Sequence, residues 1–134
     1  MTEYFAFYGT LMDNVGDPHA PSTAGLVKFL RPCRLAGTLR SHGRYPGFFP
    51  AAGDEAEPTG VVRAELYEIL TPQAFAIFDG WEEYDPRDEA NSLYLRRRVR
   101  LYDADLEAWV YVSQQSDADP VVPEGDWRAY QGVR

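Results

Sequence analysis

Cysteine is nearly missing from this 134-residue chain: Cys33 is the single one, so no disulfide can form within it. Histidine is scarce as well. His19 and His42 are the only two, and neither stands at metal-ligand spacing from the other or from Cys33, so no metal site is expected. Basic residues are outnumbered, with 13 Lys and Arg against 21 Asp and Glu and a formal net charge of -8. Phosphate binding needs a basic surface, so nucleic acid is not an expected partner. The densest basic group, Arg96-Arg97-Arg98 with Arg100, lies inside an apolar pattern and reads as the polar face of a strand. No apolar run approaches the roughly 20 residues that cross a bilayer, so no membrane is expected either. The polar start Met1-Thr2-Glu3, without a signal-like apolar run, predicts a cytoplasmic protein. There is no internal repeat and no long linker, so residues 1–134 read as one domain.

Apolar types make up 45% of the chain, enough for one core. Residues 4–8 read as a strand, Asn14–Pro21 as a loop, Ser22–Phe29 as a short helical piece and Arg34–Arg40 as a second strand. The stretch SHGRYPGFFPAAGDEAEP is dense in turn formers and reads as an aromatic-bearing loop. GVVRAELYEIL alternates as a strand should. TPQAFAIFDGWEEY opens a helix, with Thr71 as N-cap and Pro72 at its first position. Leu93–Leu101 and Glu107–Ser113 read as strands joined through Asp103-Ala104-Asp105. This order predicts an α+β domain, a small mixed β-barrel with flanking short helices.

Two places invite chemistry. The first is FAFYGTLM, where an aromatic strand stops at Gly9-Thr10 and apolar Leu11-Met12 follow. It is either a plain strand-to-helix corner or a loop whose backbone holds a ligand. The second is the acidic group Asp79, Glu82, Glu83 and Asp85. At roughly 100° per residue, Ala74, Ile77, Phe78 and Trp81 define an apolar arc that Phe75 extends. Glu82 falls within this arc and Glu83 opposite it, so Glu82 is predicted to face the interior and Glu83 water. A carboxyl among aromatic rings has its pKa raised toward neutrality, the profile of a general acid/base. An internal glutamate bonded to a buried amide or an arginine fits the same phase. Asp79 reads as a capping or orienting residue, and Trp127 as a packing anchor for the tail.

Other chemistries fit less well. Glu82 and Glu83 point apart and cannot flank one glycosidic bond. Ser41-His42 lacks a nucleophile-elbow pattern, Cys33 has no evident base, and YGTL lacks the further glycine and lysine of a phosphate loop.

FAFYGTLM, RYPGF, GVVRAELYEIL, FDGWEEYDP, the Y-x-R-x-x-V pattern at Tyr94–Val99, WVYV and GDWRAY follow one another along nearly the whole chain. In that order and spacing they resemble the gamma-glutamylcyclotransferase superfamily, including its AIG2-like branch. The resemblance implies a compact mixed barrel and an enzyme that cyclises a gamma-glutamyl group to 5-oxoproline with release of an amine or amino acid. It implies Glu82 as the catalytic glutamate. It implies a glutamyl-binding loop at Tyr8, Gly9, Thr10 and Leu11, with Tyr94 and Tyr111 lining the pocket. Neither metal nor organic cofactor is expected in such a reaction, and the expected partner is a small gamma-glutamyl molecule. Many relatives carry glycine directly after that glutamate, where this chain has Glu83. The same barrel without catalysis, as a small-ligand or partner-binding module, is the competing expectation.

Overall fold

The computed structural model describes residues 2–12, 20–51 and 60–132. Six strands lie along the chain: β1 (Tyr4–Phe7), β2 (Val27–Ser41), β3 (Pro46–Pro50), β4 (Val61–Ile69), β5 (Tyr94–Arg100) and β6 (Glu107–Ser113). Helix α1 (Gln73–Trp81) stands between β4 and β5, and α2 (Trp127–Gly132) closes the tail. The strand order is β1-β4-β2-β3-β6-β5, and an additional β1–β6 pairing closes five of the strands into a barrel. β5 is the extra strand, antiparallel to β6 along its whole length from Tyr94↔Ser113 to Arg100↔Glu107.

β5 occupies one edge of β6, so β1 and β3 must share the other. Both are parallel to β6, β1 at Phe5↔Trp109 and β3 at Phe48↔Val112. Where β1 leaves and β3 takes over, the ladder has a seam, and a phenol fills it. The Tyr8 hydroxyl donates to the Tyr111 carbonyl at 2.6 Å and accepts from the Phe48 amide at 3.3 Å. The chain that departs at this seam is YGTL.

The core is aromatic-rich, with Phe5, Phe48, Phe78 and Trp127 fully buried. α1 lies across β1 and β6. Phe78 meets Phe5 and Phe7 edge-on with centroids 5.6 and 5.3 Å apart, and Phe75 meets Phe5 and Trp109. Such pairs add about 1 kcal/mol each beyond the area they bury. Trp127 stacks on Tyr130 and anchors α2 in the core.

Three expectations change. Ser22–Phe29 is not helical: Leu26 and Val27 amides close a turn on Thr23, and from Val27 the chain pairs with Ile69 of β4. Pairing with a distant strand overrides local propensity. β2 therefore begins seven residues before the expected Arg34 and absorbs Pro32 beside a bulge at Phe29/Arg31. Five residues of the expected aromatic loop form β3, hydrogen-bonded to β2 from Gly37↔Pro50 to Ser41↔Pro46. Finally, Arg96 does not share a solvated strand face with Arg98 and Arg100. Tyr94 is buried, and Arg96 is packed among aromatic rings. The loop expected at Asn14–Pro21 and the end of the turn-rich stretch fall mostly outside the described residues.

Candidate active site

The turn after β1 is closed by the Met12 amide donating to the Gly9 carbonyl at 3.0 Å. Gly9 is required here by a close approach, not by a left-handed backbone. A Cβ on it would come within 2.8 Å of Pro46 Cγ. Residues 9–11 are buried, yet the N–H groups of Gly9, Thr10 and Leu11 have no acceptor among the described residues. Buried backbone donors are almost always paired. Three in succession without a partner among the described residues are the kind of donor set that suits an anion.

Opposite this turn ends α1. Glu82 is its C-cap, Glu83 follows with φ +53°, and the Tyr84 amide reaches back to the Asp79 carbonyl at 2.9 Å while the Glu83 amide reaches Gly80. This is a Schellman ending, in which the left-handed position favours glycine. The departure from relatives at Glu83 is therefore first a backbone matter. Its side chain points to solvent.

Glu82 keeps some solvent exposure as a residue, but its carboxyl is set into protein, and burial pushes its pKa up to about 8. Among the described residues no group donates a hydrogen bond to it, neither amide nor arginine. Burial first of all raises the pKa of the Tyr8, Tyr94 and Tyr111 hydroxyls, Asp79 raises that of Tyr111 further, and Glu82, when ionised, adds to all three.

Phe7, Tyr8, Gly9, Thr10, Leu11, Tyr45, Pro46, Glu82 and Tyr94 line one recess of about 20 Å³. Its claim rests on chemistry, not size. Wider grooves lie elsewhere, such as one of about 500 Å³ along Gly37–Arg40 and Val121–Val122. Of the catalytic and binding residues that the resemblance implies, all but Tyr111 border the recess, whereas Asp79, Glu83 and Asp85 do not. Two of the three tyrosines have their hydroxyls committed to backbone: Tyr8 spans the seam, and Tyr94 donates to the Pro46 carbonyl at 2.7 Å. Tyr111 donates instead to Asp79 Oδ1 at 2.7 Å.

Asp79 is the centre of a buried cluster. Arg96 Nε and Nη2 reach its two oxygens at 2.9 and 3.2 Å. The guanidinium lies over the rings of Phe75 at 4.5 Å and Trp109 at 4.9 Å. The cluster ties α1 to β5 and β6 and so fixes where Glu82 stands. Arg96 was hidden within an arginine run. Its one sequence signal is the shared face with Tyr94, two residues earlier on the same strand.

His42 also finds partners that sequence did not suggest. Nε2 meets Ser113 Oγ at 2.8 Å and Nδ1 meets Asp119 Oδ2 at 2.7 Å. Ser113 is buried, with Gly47 packed against it, so the trio serves to pin the loop bearing Tyr45 to the end of β6. Among the described residues no group of three His, Cys, Asp or Glu is placed to hold a metal ion, and no helix is long and apolar enough to cross a membrane. Cys33 is buried, and burial first of all pushes its thiol up to about 12.

A family model described as gamma-glutamyl cyclotransferase, AIG2-like matches residues 5–129. The chain belongs to this family. Solved structures of similar fold include protein ytfP from Escherichia coli, with 25% identity over 95% of this chain and 96% of that one and a TM-score of 0.61. An uncharacterized protein, PH0828 from Pyrococcus horikoshii, is 19% identical over 98% of this chain and 94% of its own, with TM-score 0.67. An AIG2-like protein from Mus musculus is 17% identical over 93% and 88%, with TM-score 0.62. No curated protein matches the sequence significantly. At such identities the structural likenesses speak for the cyclotransferase-like barrel, and the chemistry must be argued from the recess.

Proposed function

We propose that the chain cyclises the gamma-glutamyl group of a small amide to 5-oxoproline and releases the amine. One observation carries this reading: three backbone donors and a carboxyl of raised pKa, all without a hydrogen-bond partner among the described residues, belong to residues that line a single recess. A glutamyl head presents a carboxylate and an ammonium on one carbon, which is the complement of that pair. The amides of Gly9, Thr10 and Leu11 take the alpha-carboxylate. Glu82 takes the ammonium, whose positive charge draws the carboxyl toward ionisation.

The reaction then needs only a proton carrier. Glu82 removes a proton from the ammonium, and the freed amine attacks the gamma-carbonyl carbon. The new C–N bond closes a five-membered ring as the old amide C–N bond breaks. The ring nitrogen gives up a second proton as it becomes an amide, and Glu82 passes both protons in turn to the departing nitrogen, which leaves as an ammonium. No water is consumed and nothing is oxidised. Ring closure is intramolecular, so holding the folded conformer supplies much of the acceleration. A recess of about 20 Å³ has room for roughly one water molecule, so its walls must give way to admit a glutamyl group.

The test is incubation with a panel of gamma-glutamyl amines and gamma-glutamyl dipeptides, with 5-oxoproline quantified by mass spectrometry. Formation of 5-oxoproline from at least one member is the expected result. Saturable binding of these compounds without any product would make the barrel a binding module.

A further inference from the structure

Trp81 is the last residue of α1 and stands directly before Glu82. Its indole Nε1–H donates to Thr10 Oγ1 at 3.0 Å, joining the end of the helix to the turn after β1. On its other side the ring meets Tyr45 edge-on, centroids 6.0 Å apart and planes 89° to each other. One side chain thus touches three walls of the recess: the helix end, the YGTL turn and the loop that bears Tyr45.

The direction of the hydrogen bond matters. An indole N–H can only donate, so the threonine oxygen is the acceptor and its own proton remains to be given away. Among the described residues nothing accepts it. Thr10 is buried and borders the recess. Its hydroxyl is therefore a fourth donor beside the amides of Gly9, Thr10 and Leu11, in the recess that Glu82 also borders.

We infer that Trp81 is a positioning residue of this site: it orients the Thr10 hydroxyl as a side-chain donor to the anionic end of the guest and sets the spacing between that donor and Glu82. This rests on the cyclotransferase reading for the identity of the guest, but not for the contact itself. Nothing in YGTL or FDGWEEY marks the two residues as partners, since 71 positions separate them.

Three variants test it. Trp81→Phe keeps a ring against Tyr45 and loses the donor. Thr10→Val loses the hydroxyl, and Thr10→Ser keeps it. A hydrogen bond to a charged group is worth about tenfold in binding. Trp81→Phe and Thr10→Val should each weaken 5-oxoproline binding and lower kcat/KM about tenfold, mainly through KM. Thr10→Ser should stay within about threefold of wild type. The double variant Trp81→Phe/Thr10→Val should be no worse than the poorer single, because both break one contact. Wild-type kcat/KM in Trp81→Phe, or losses that multiply in the double variant, would overturn the inference.

A second readout separates this inference from the reaction proposed. In 15N-labelled protein without substrate, Thr10→Val should shift the Trp81 indole N–H resonance and speed its exchange with solvent. An unchanged resonance overturns the inference even in an active enzyme. A changed one in a chain that makes no 5-oxoproline leaves the contact standing and removes only the reaction.

Discussion

Replacing Glu82 with glutamine should change how stability depends on pH, and the structure fixes the sign. The Glu82 carboxyl has an ordinary value of 4.5 and is raised to about 8 by burial. Between those values the folded chain holds a proton that the unfolded chain has lost. The stability that this group contributes is therefore full below about pH 4.5, declines as pH rises, and levels off above about pH 8. At about 1.4 kcal/mol per pH unit the ceiling on the loss is about 5 kcal/mol. Partial exposure of the residue reduces this, and about 2–3 kcal/mol is the expected size, a large share of the roughly 5–15 kcal/mol that holds a domain together. Glu82→Gln cannot ionise. It should match wild type at pH 5 and exceed it by about 2–3 kcal/mol at pH 9. Urea unfolding of both proteins across this range measures the difference, in which all other titrating groups cancel. Parallel curves would mean that Glu82 ionises as freely as in water, and the buried-carboxyl argument would fail.

Other expectations follow from neighbouring contacts. Glu83→Gly should raise stability by about 1 kcal/mol in thermal or urea unfolding, because it relieves a left-handed residue at the Schellman position. Glu83→Gln should leave turnover nearly unchanged; a loss as large as that of Glu82→Gln would show that the wrong glutamate has been assigned. Asp79→Asn should cost about 3–5 kcal/mol by urea unfolding, since it strands the Arg96 guanidinium between Phe75 and Trp109. Tyr8→Phe should cost about 1–3 kcal/mol by the same measurement, leaving the Phe48 amide and Tyr111 carbonyl unbridged at the seam.

The parts of the fold that were legible in the sequence are those written in local periodicity. β4 alternates and the β5–β6 hairpin is bounded by an acidic turn; α1 forms where expected, but it starts at Gln73 with Pro72, not Thr71, as N-cap, and of its expected apolar arc Ile77 is exposed while Asp79 is buried. The helical phase also separated Glu82 from Glu83, because α1 runs unbroken through Gly80 to Trp81. What escaped depends on partners far along the chain. Val27–Phe29 extends because Tyr67–Ile69 lies beside it, and β3 exists because β2 and β6 flank a five-residue segment bounded by prolines. The site shares this limit. Its loop and its glutamate could be named singly, but the roles of Tyr8 and Tyr111 were not legible. Their hydroxyls are spent on the seam and on Asp79, and only the closed barrel reveals that. Arg96 looked like its neighbours in a basic run until Phe75, Trp109 and Asp79 were placed around it.

The central claim is that Glu82 carries the proton while the turn after β1 holds the glutamyl carboxylate. Turnover of the best gamma-glutamyl substrate by wild type and Glu82→Gln, read as 5-oxoproline formed, with 5-oxoproline binding measured in parallel, tests it most directly. The account predicts that the variant binds within a few-fold of wild type and forms no product above the uncatalysed rate. Product formation by Glu82→Gln at a rate close to wild type would contradict it.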